Sequence, residues 1–251
     1  MEVNLIDYTG RSPSAVQNKD DESNYAASLL IFTKNTRLEM KPGGFNEVLG
    51  WSWEKKLEEL EYMANTIPSS WEFVHYTFMI TGVTRAFTHQ LVRTRTASFA
   101  QQTMRVLNVD GWTYGTGPTV SDDVTRNGMY EMAMEGISDT YDTLIKTGAK
   151  VEDARGVLPT NIHTNIVMGA NMRTMVEMIR KRTSPRTQGE YRDVLEGLRS
   201  EMLRVHPWVS LFIERDADKA SRELYGRLNE LDMDEVKRTE LIKLLDQVRQ
   251  N

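Results

Sequence analysis

Apolar positions along the chain change spacing several times, and each change marks an element. VNLIDYTG at the N-terminus predicts an opening strand closed by a turn. SNYAASLLIF at 23–32 reads equally as a short helix or a buried strand, which periodicity does not separate. KPGG at 41–44 is a loop. Across 52–67 the spacing is helical through Trp53, Leu57, Leu60 and Met63, and Pro68 follows the end. WEFVHYTFMITGV at 71–83 alternates and is rich in β-branched and aromatic residues, so it predicts a strand. TRAFTHQLVRTRT at 84–96 returns to helical spacing through Ala86, Phe87, Leu91 and, less regularly, Arg95, with Thr84 as N-cap.

The second half is richer in helix. NVDGWTYGTGPTVSDD at 108–123 is a loop, and its GTGP lacks the frame of a dinucleotide fingerprint. Residues 124–147 form a helix with Met129, Met132, Ile137, Tyr141, Leu144 and Ile145 on or near one side, the methionines as core filler, closed by Gly148. A helix starts near Val151 and stops around RGVLP. Asn161 to Arg182 reads as helical for most of its length, with Asn171, Met178 and Arg182 in one direction. Arg173, Glu177 and Arg180 share another side, and Met172, Met175, Val176 and Ile179 fill the stripe between. Pro185 breaks this helix; another spans 187–205 with Tyr191, Val194, Leu195, Leu198 and Met202 inward, ended by Pro207. Two charged amphipathic helices follow from 216, one through Leu224, Leu228 and Leu231, the other through Val236, Leu241, Leu244, Leu245 and Val248. The class this predicts is α+β: a β-sheet flanked by helices, a helix-rich second half and C-terminal helices. Residues 1–214 are expected to form one domain and 215–251 a helical extension, an appendage or an oligomer contact.

Charge sharpens this outline. The net charge is −5, yet residues 85–105 sum to +4 and 155–192 to +5, so the remainder sums to −14. Two basic islands in an acidic chain point to a localised anion site rather than a nucleic-acid surface. With no cysteine, disulfides, thiolate metal sites and cysteine nucleophiles are excluded. The four histidines lack ligand spacing, so no metal is expected, and neither a signal peptide nor a membrane span is read, which makes a cytoplasmic location the expectation. No P-loop, His-Glu-x-x-His or Gly-x-Ser-x-Gly is present.

What remains is arginine chemistry. Arg93, Arg95 and Arg105, with Gln90, Ser98, Gln101, Gln102 and Thr103, bring guanidinium forks, hydroxyls and amides together over a short stretch, a donor set suited to phosphate. Asn171 and Arg182 add donors suited to the edge of a planar heterocycle, and Arg155 joins from the preceding turn. These residue types describe a site for a nucleotide-sized anion and leave the nucleotide and the reaction open.

TRAFTHQLVRTRTASFAQQTMR resembles the signature region of the flavin-dependent thymidylate synthases: Arg-His-Arg, seven residues, then Ser, written here as Arg93-Thr94-Arg95, seven residues, then Thr103. Residues 153–192 resemble the family's second region, Ala-Arg-x-x-Leu-Pro, Asn-x-Arg, Arg, Gln-x-Glu, and WEFVHYTF resembles its strand before the motif. The similarity spans roughly 66–195. It implies FAD as cofactor, NADPH and methylenetetrahydrofolate as co-substrates, dUMP converted to dTMP, and a homotetramer with sites shared between subunits. It implies no nucleic-acid or membrane partner.

By the same resemblance, Gln90, Gln101, Gln102, Thr103 and Arg105 fall on the nucleotide side, together with Arg155 and Arg182, and Arg182 would act on the pyrimidine. Arg93, Thr94, Arg95, Ser98, Asn171 and Arg173 match flavin-side positions, Arg93 serving both sides, and Ser69 and Glu72 match more weakly. Thr94 replaces the family's His, Ala100 its usual Asn, and Thr103 its Ser; Glu177 and Arg186 stand where relatives often carry Asn and His. These departures keep two alternatives open: a same-fold enzyme that modifies dUMP or dCMP otherwise, for instance by hydroxymethylation, and a non-catalytic nucleotide-binding protein.

Overall fold

The structure, a computed structural model, describes residues 1–10, 19–34, 42–66, 68–104, 112–182, 189–213, 223–224, 226–228 and 234–250. Arg105, Pro185, Arg186 and Leu231 lie outside the described residues, as do the side chains of Arg182, Val236, Leu245 and Val248.

Four strands form one antiparallel sheet in the order β1–β2–β4–β3. They are β1 (Glu2–Tyr8), β2 (His75–Thr84), β3 (Ala97–Gln101) and β4 (His163–Asn171). Alternation decides which face packs. Tyr76, Phe78 and Ile80 of β2 and Ile166, Met168 and Ala170 of β4 are buried on one face. That face is covered by α8 (Met172–Arg182) and α9 (Gly189–Val205), with α1 (Lys19–Lys34), α2 (Gly44–Leu49) and α3 (Trp53–Ala64) completing the core. On α9 the five inward residues expected from spacing, Tyr191, Val194, Leu195, Leu198 and Met202, are all buried. Gly197 lets that helix approach β1 closely, since a Cβ there would lie 2.8 Å from Val3 Cγ2.

Several expectations are corrected. Residues 163–171 are a strand and not helix: Thr164, Ile166, Met168 and Ala170 alternate inward against β2 and β3, so helical phase holds only from Met172 onward. Trp71–Phe73, expected in the strand, belong to a 3-10 turn, Pro68–Phe73, that precedes β2. Residues 23–32 are helical, and the start of α2 takes up the end of the expected KPGG loop. On α3, Trp53 is 40% exposed and Lys56 is buried in its place. The Lys56 ammonium donates to Asn24 Oδ1 (2.5 Å) and the Leu49 carbonyl (2.9 Å), so three helices share one buried donor. Burial lowers its pKa.

The helix α4 (Arg85–Leu91) follows β2 directly with Thr84 as N-cap, and Arg93 to Thr96 form a turn rather than more helix. The expected loop contains a short helix, α5 (Pro118–Ser121), before α6 (Val124–Lys146). Met129 and Met132 are 69% and 73% exposed and not core; Met134 and Tyr141 are the buried residues of α6. A short helix α7 (Val151–Ala154) continues into a 3-10 turn, Arg155–Val157. After α9, a 3-10 turn at Pro207–Val209 leads into α10 (Ser210–Ile213), and a separate helix, α11, spans Glu235–Gln250. No helix among the described residues is long and apolar enough to cross a membrane.

His206 ties the C-terminal end of α9 to the sheet. Its Nδ1 lies 2.8 Å from Tyr76 Oη, in a fully buried pair packed edge-on by Tyr8. Burial pushes His206 down to about 3 from 6.5, with the Thr9 carbonyl opposing. The unfolded chain therefore binds a proton that the folded chain refuses between those values. The stability contributed by neutral His206 is complete above pH 6.5 and falls as pH drops toward 3, by about 1.4 kcal/mol per pH unit. Urea denaturation across this window is expected to show that slope, and His206→Gln to remove most of it.

Candidate functional site

The site is built where β2 becomes α4. Thr84 Oγ1 accepts from the Phe87 N–H (3.1 Å) and closes the first turn of α4. The Glu190 carboxylate takes Thr84 from outside: the Thr84 N–H donates to Oε1 at 2.7 Å and its hydroxyl to Oε2 at 2.6 Å. The next two N–H groups are satisfied by the segment before β4, Arg85 to the Ile162 carbonyl (3.0 Å) and Ala86 to the Thr160 carbonyl (2.7 Å). Phe87 and Leu91 are buried, and Phe87 packs on Tyr191 with ring centroids 5.2 Å apart. The start of α4 is thus held by two separate elements, α9 and the segment before β4, which leaves Arg85 and His89 on the side away from Phe87 and Leu91.

Opposite them lies a cleft of about 520 Å³, within the range of small-ligand sites. Its walls are Arg85 and His89 of α4, Gln101 to Met104 at the end of β3, and Glu152, Arg155, Gly156 and Leu158 to Thr160. Four residues expected at the nucleotide, Gln101, Gln102, Thr103 and Arg155, come together here from two stretches some fifty residues apart. Internal hydrogen bonds orient the amides: Gln101 Nε2 donates to Thr88 Oγ1 (3.0 Å), and Gln102 Oε1 accepts from Asn165 Nδ2 (3.0 Å). Asn165 Oδ1 in turn accepts the Gly82 N–H at 3.0 Å, where Gly82 adopts a φ of +64° within the β2 irregularity.

Arg85, His89 and Glu152 were missed by sequence reasoning. Arg85 sits in the first basic island, but its place in the cleft depends on the turn after β2. Burial lowers its pKa, and the positive charge of Arg155 lowers it further. Behind the cleft, His163 Nδ1 lies 2.9 Å from Thr113 Oγ1. Burial lowers its pKa more than the Glu190 carboxylate raises it.

The residues expected on the flavin side gather at the other end of the sheet. Ser98 pairs with Gly169, and Asn171 is the last residue of β4, opposite His75. Arg93, Thr94 and Arg95 occupy the turn leading into β3. The Arg93 and Arg95 side chains are exposed and form no ion pair with a described residue. Arg173 donates to Glu72 (2.7 Å) and Glu177 (3.2 Å); Ser69, on the same 3-10 turn as Glu72, is exposed. The Glu72 hydrogen bond, then that of Glu177, raises the Arg173 pKa. From Ala97 to Gln101 this end lies about 13 Å along β3 from the cleft, at ~3.3 Å per residue.

Asn171 caps α8, its Oδ1 accepting the Thr174 N–H at 2.9 Å, and Arg182 is at the far end of that helix. Gln90 lies on α4 without lining the cleft. For an anionic dinucleotide the flavin-side residues fit by chemistry: uncommitted guanidiniums at Arg93 and Arg95, the Ser98 hydroxyl, and a third cation, Arg173, held by carboxylates.

An antiparallel four-stranded sheet with helices on one face and a cationic, amide-lined cleft at one end defines the class: an α+β protein with a polar cleft at the end of its sheet. The chain belongs to the family described as thymidylate synthase complementing protein, which matches residues 15–208. It is 38% identical over 148 residues to the flavin-dependent thymidylate synthase of Geobacter sulfurreducens, covering 58% of this chain and 62% of that one. It is 30% identical over 204 residues to the flavin-dependent thymidylate synthase of Sulfolobus acidocaldarius, covering 77% and 76%. The matched region therefore spans about three fifths of the first of these relatives and three quarters of the second. The fold is also that of a solved UMP/dUMP methylase, PolB from Streptomyces cacaoi bound with 5-Br dUMP. The TM-score is 0.68 at 18% identity, over 84% of this chain and 93% of that one.

Because Arg173, Glu72 and Glu177 are each substantially exposed, their ion pairs contribute little to folding. Arg173→Ala is expected to change unfolding free energy by less than ~1 kcal/mol in urea titration, which separates a ligand role from a structural one.

Proposed function

We propose that this chain is a flavin-dependent thymidylate synthase that converts dUMP to dTMP. The observation that carries the reading is the cleft that joins Gln101, Gln102 and Thr103 with Arg155, beside a family match over 15–208. In the overall reaction dUMP, methylenetetrahydrofolate, NADPH and a proton give dTMP, tetrahydrofolate and NADP⁺. The C5 hydrogen of the pyrimidine is replaced by a methyl group, whose carbon comes from the folate and whose added hydride comes from NADPH. FAD, held by Arg93, Thr94, Arg95, Ser98, Asn171 and Arg173 with Ser69 and Glu72 beside them, supplies the hydride-carrying chemistry when bound.

The absence of cysteine suits this route, since no thiol is available to attack the pyrimidine. The protein's own residues orient and neutralise. Arg155, Gln101, Gln102 and Thr103, with Gln90 and Arg105, hold the nucleotide. Arg182 stabilises negative charge as it develops on the pyrimidine ring. In this reading the cleft and the flavin-side residues, separated along β3 within one chain, meet across subunits of a homotetramer. Residues 1–214 carry the site and 215–251 form a helical extension.

The test is direct. Purified protein is expected to show a flavin visible spectrum, and incubation with dUMP, methylenetetrahydrofolate and NADPH to yield dTMP by mass spectrometry. A hydroxymethylated product would assign the altered reaction that Thr94 and Ala100 leave open; nucleotide binding without flavin or turnover would overturn the enzyme reading. Arg182→Ala is expected to lower turnover by at least a hundredfold, and an unchanged kcat would remove Arg182 from the chemistry.

A further inference from the structure

Behind the cleft runs a strap, residues 113–115, that touches no ligand-lining residue directly yet backs the wall. Leu158 to Thr160 form part of that wall, and the chain just after them is gripped from two sides. On one side is the start of α4, whose Arg85 and Ala86 N–H groups donate to the Ile162 and Thr160 carbonyls. On the other side is the strap. The His163 N–H donates to the Thr113 carbonyl at 2.8 Å, the Gly115 N–H donates to the Asn161 carbonyl at 2.9 Å, and Tyr114 bridges Ile162 antiparallel. The strap is tied in turn to α6. Tyr130 Oη donates to the Gly115 carbonyl at 3.2 Å, and Asn161 Nδ2 donates to the same carbonyl at 3.0 Å and meets Tyr130 Oη.

Strap, wall and α4 come closest at Gly115. A Cβ there would lie 2.7 Å from Thr84 Cγ2 and 3.3 Å from His163 Nε2. Gly115 is not in the left-handed region, so what the position demands is room and not backbone freedom. Thr84 cannot turn its methyl away, because the same rotation would carry its hydroxyl off Glu190 and off the Phe87 N–H. An added methyl at 115 must therefore displace the strap or the start of α4, and a close-packed interior passes that displacement on. The milder His163 contact is relieved by a shift of a few tenths of an ångström.

We infer that Gly115 is a positioning residue for the cleft: by leaving room for the Thr84 methyl it sets how α4 and the Leu158–Thr160 wall face each other, and Tyr130 holds it there from α6. The inference rests on the nucleotide reading of the cleft given above. Gly115 does not line the cleft, so it acts on a ligand only through Thr84 and the wall.

The experiment is a calorimetric titration of the full chain with dUMP, run well below the melting temperature of every variant so that loss of stability alone leaves the dissociation constant unmoved. Gly115→Ala is expected to raise that constant roughly tenfold. Thr84→Ser, which removes the γ-methyl and keeps the hydroxyl, is the reference for the pair. Gly115→Ala combined with Thr84→Ser is expected to recover most of the loss. Tyr130→Phe keeps the room at 115 and removes one tie to the strap, and is expected to weaken dUMP binding about threefold. Wild-type protein that binds dUMP, with Gly115→Ala folded and binding it equally well, overturns this inference alone. A loss in Gly115→Ala that Thr84→Ser does not relieve overturns the Thr84 contact as its cause. If Gly115→Ala does not fold, Tyr130→Phe decides: an unchanged dissociation constant there overturns the positioning role. Wild-type protein that does not bind dUMP overturns the functional reading, and this inference with it.

Discussion

One carboxylate joins the parts on which the site depends. Glu190 stands at the start of α9 and reaches the last residue of β2, where it accepts from both the N–H and the hydroxyl of Thr84. The same Thr84 oxygen accepts from Phe87 and so caps α4. Sheet, wall helix and covering helix therefore meet at a single buried threonine. Removing the acceptor would leave polar groups unpaired in a largely buried place, which costs far more than an exposed hydrogen bond is worth. Phe87 on Tyr191 adds apolar contact between the same two helices.

The sheet then acts as a spacer. β3 and β4 pair over five residues, from Ala97 with Ala170 to Gln101 with Ile166. One end opens on the cleft, where Gln101 and Gln102 are fastened to Thr88 and Asn165. The other end carries Arg93 to Arg95, Ser98 and Asn171, with Arg173 on the helix that follows. The two ends differ electrostatically. At the cleft, two arginines repel across a partly desolvated space; at the far end Arg173 is already held by Glu72 and Glu177 in water. Charge near the cleft is therefore poised to respond to an anion, while Arg173 would have to exchange carboxylates for a ligand at small cost.

Some of this was legible from residue order alone. The inward face of α9, the Thr84 cap and the opening strand all follow from local patterning, because each is governed by neighbours within one or two turns. Residues 163–171 were misread for a physical reason. HTNIVMGAN carries period-two alternation, but it abuts a strongly helical stretch with no proline or glycine break at the junction, and Asn171 serves both as strand end and helix cap. The burial of Lys56 and the exposure of Met129 and Met132 run against residue type. Lys56 is tolerated because two oxygens, from Asn24 and Leu49, converge on its ammonium.

Residue order by itself determined the chemistry on offer. It supplied two basic islands in an acidic chain, no thiol, and a donor set of guanidiniums, amides and hydroxyls suited to a phosphorylated ligand. Composition and spacing are sufficient for that because charge and hydrogen-bonding capacity belong to residue types. Which of those groups share a site was decided only by tertiary structure. Antiparallel pairing of β3 with β4 brought Gln101 to Thr103 beside Arg155 and sent Ser98 and Asn171 to the opposite end. The β2–α4 junction added Arg85, because whether a side chain faces a ligand or water depends on contacts made by residues far away in sequence, here Glu190, Ile162 and Gln102.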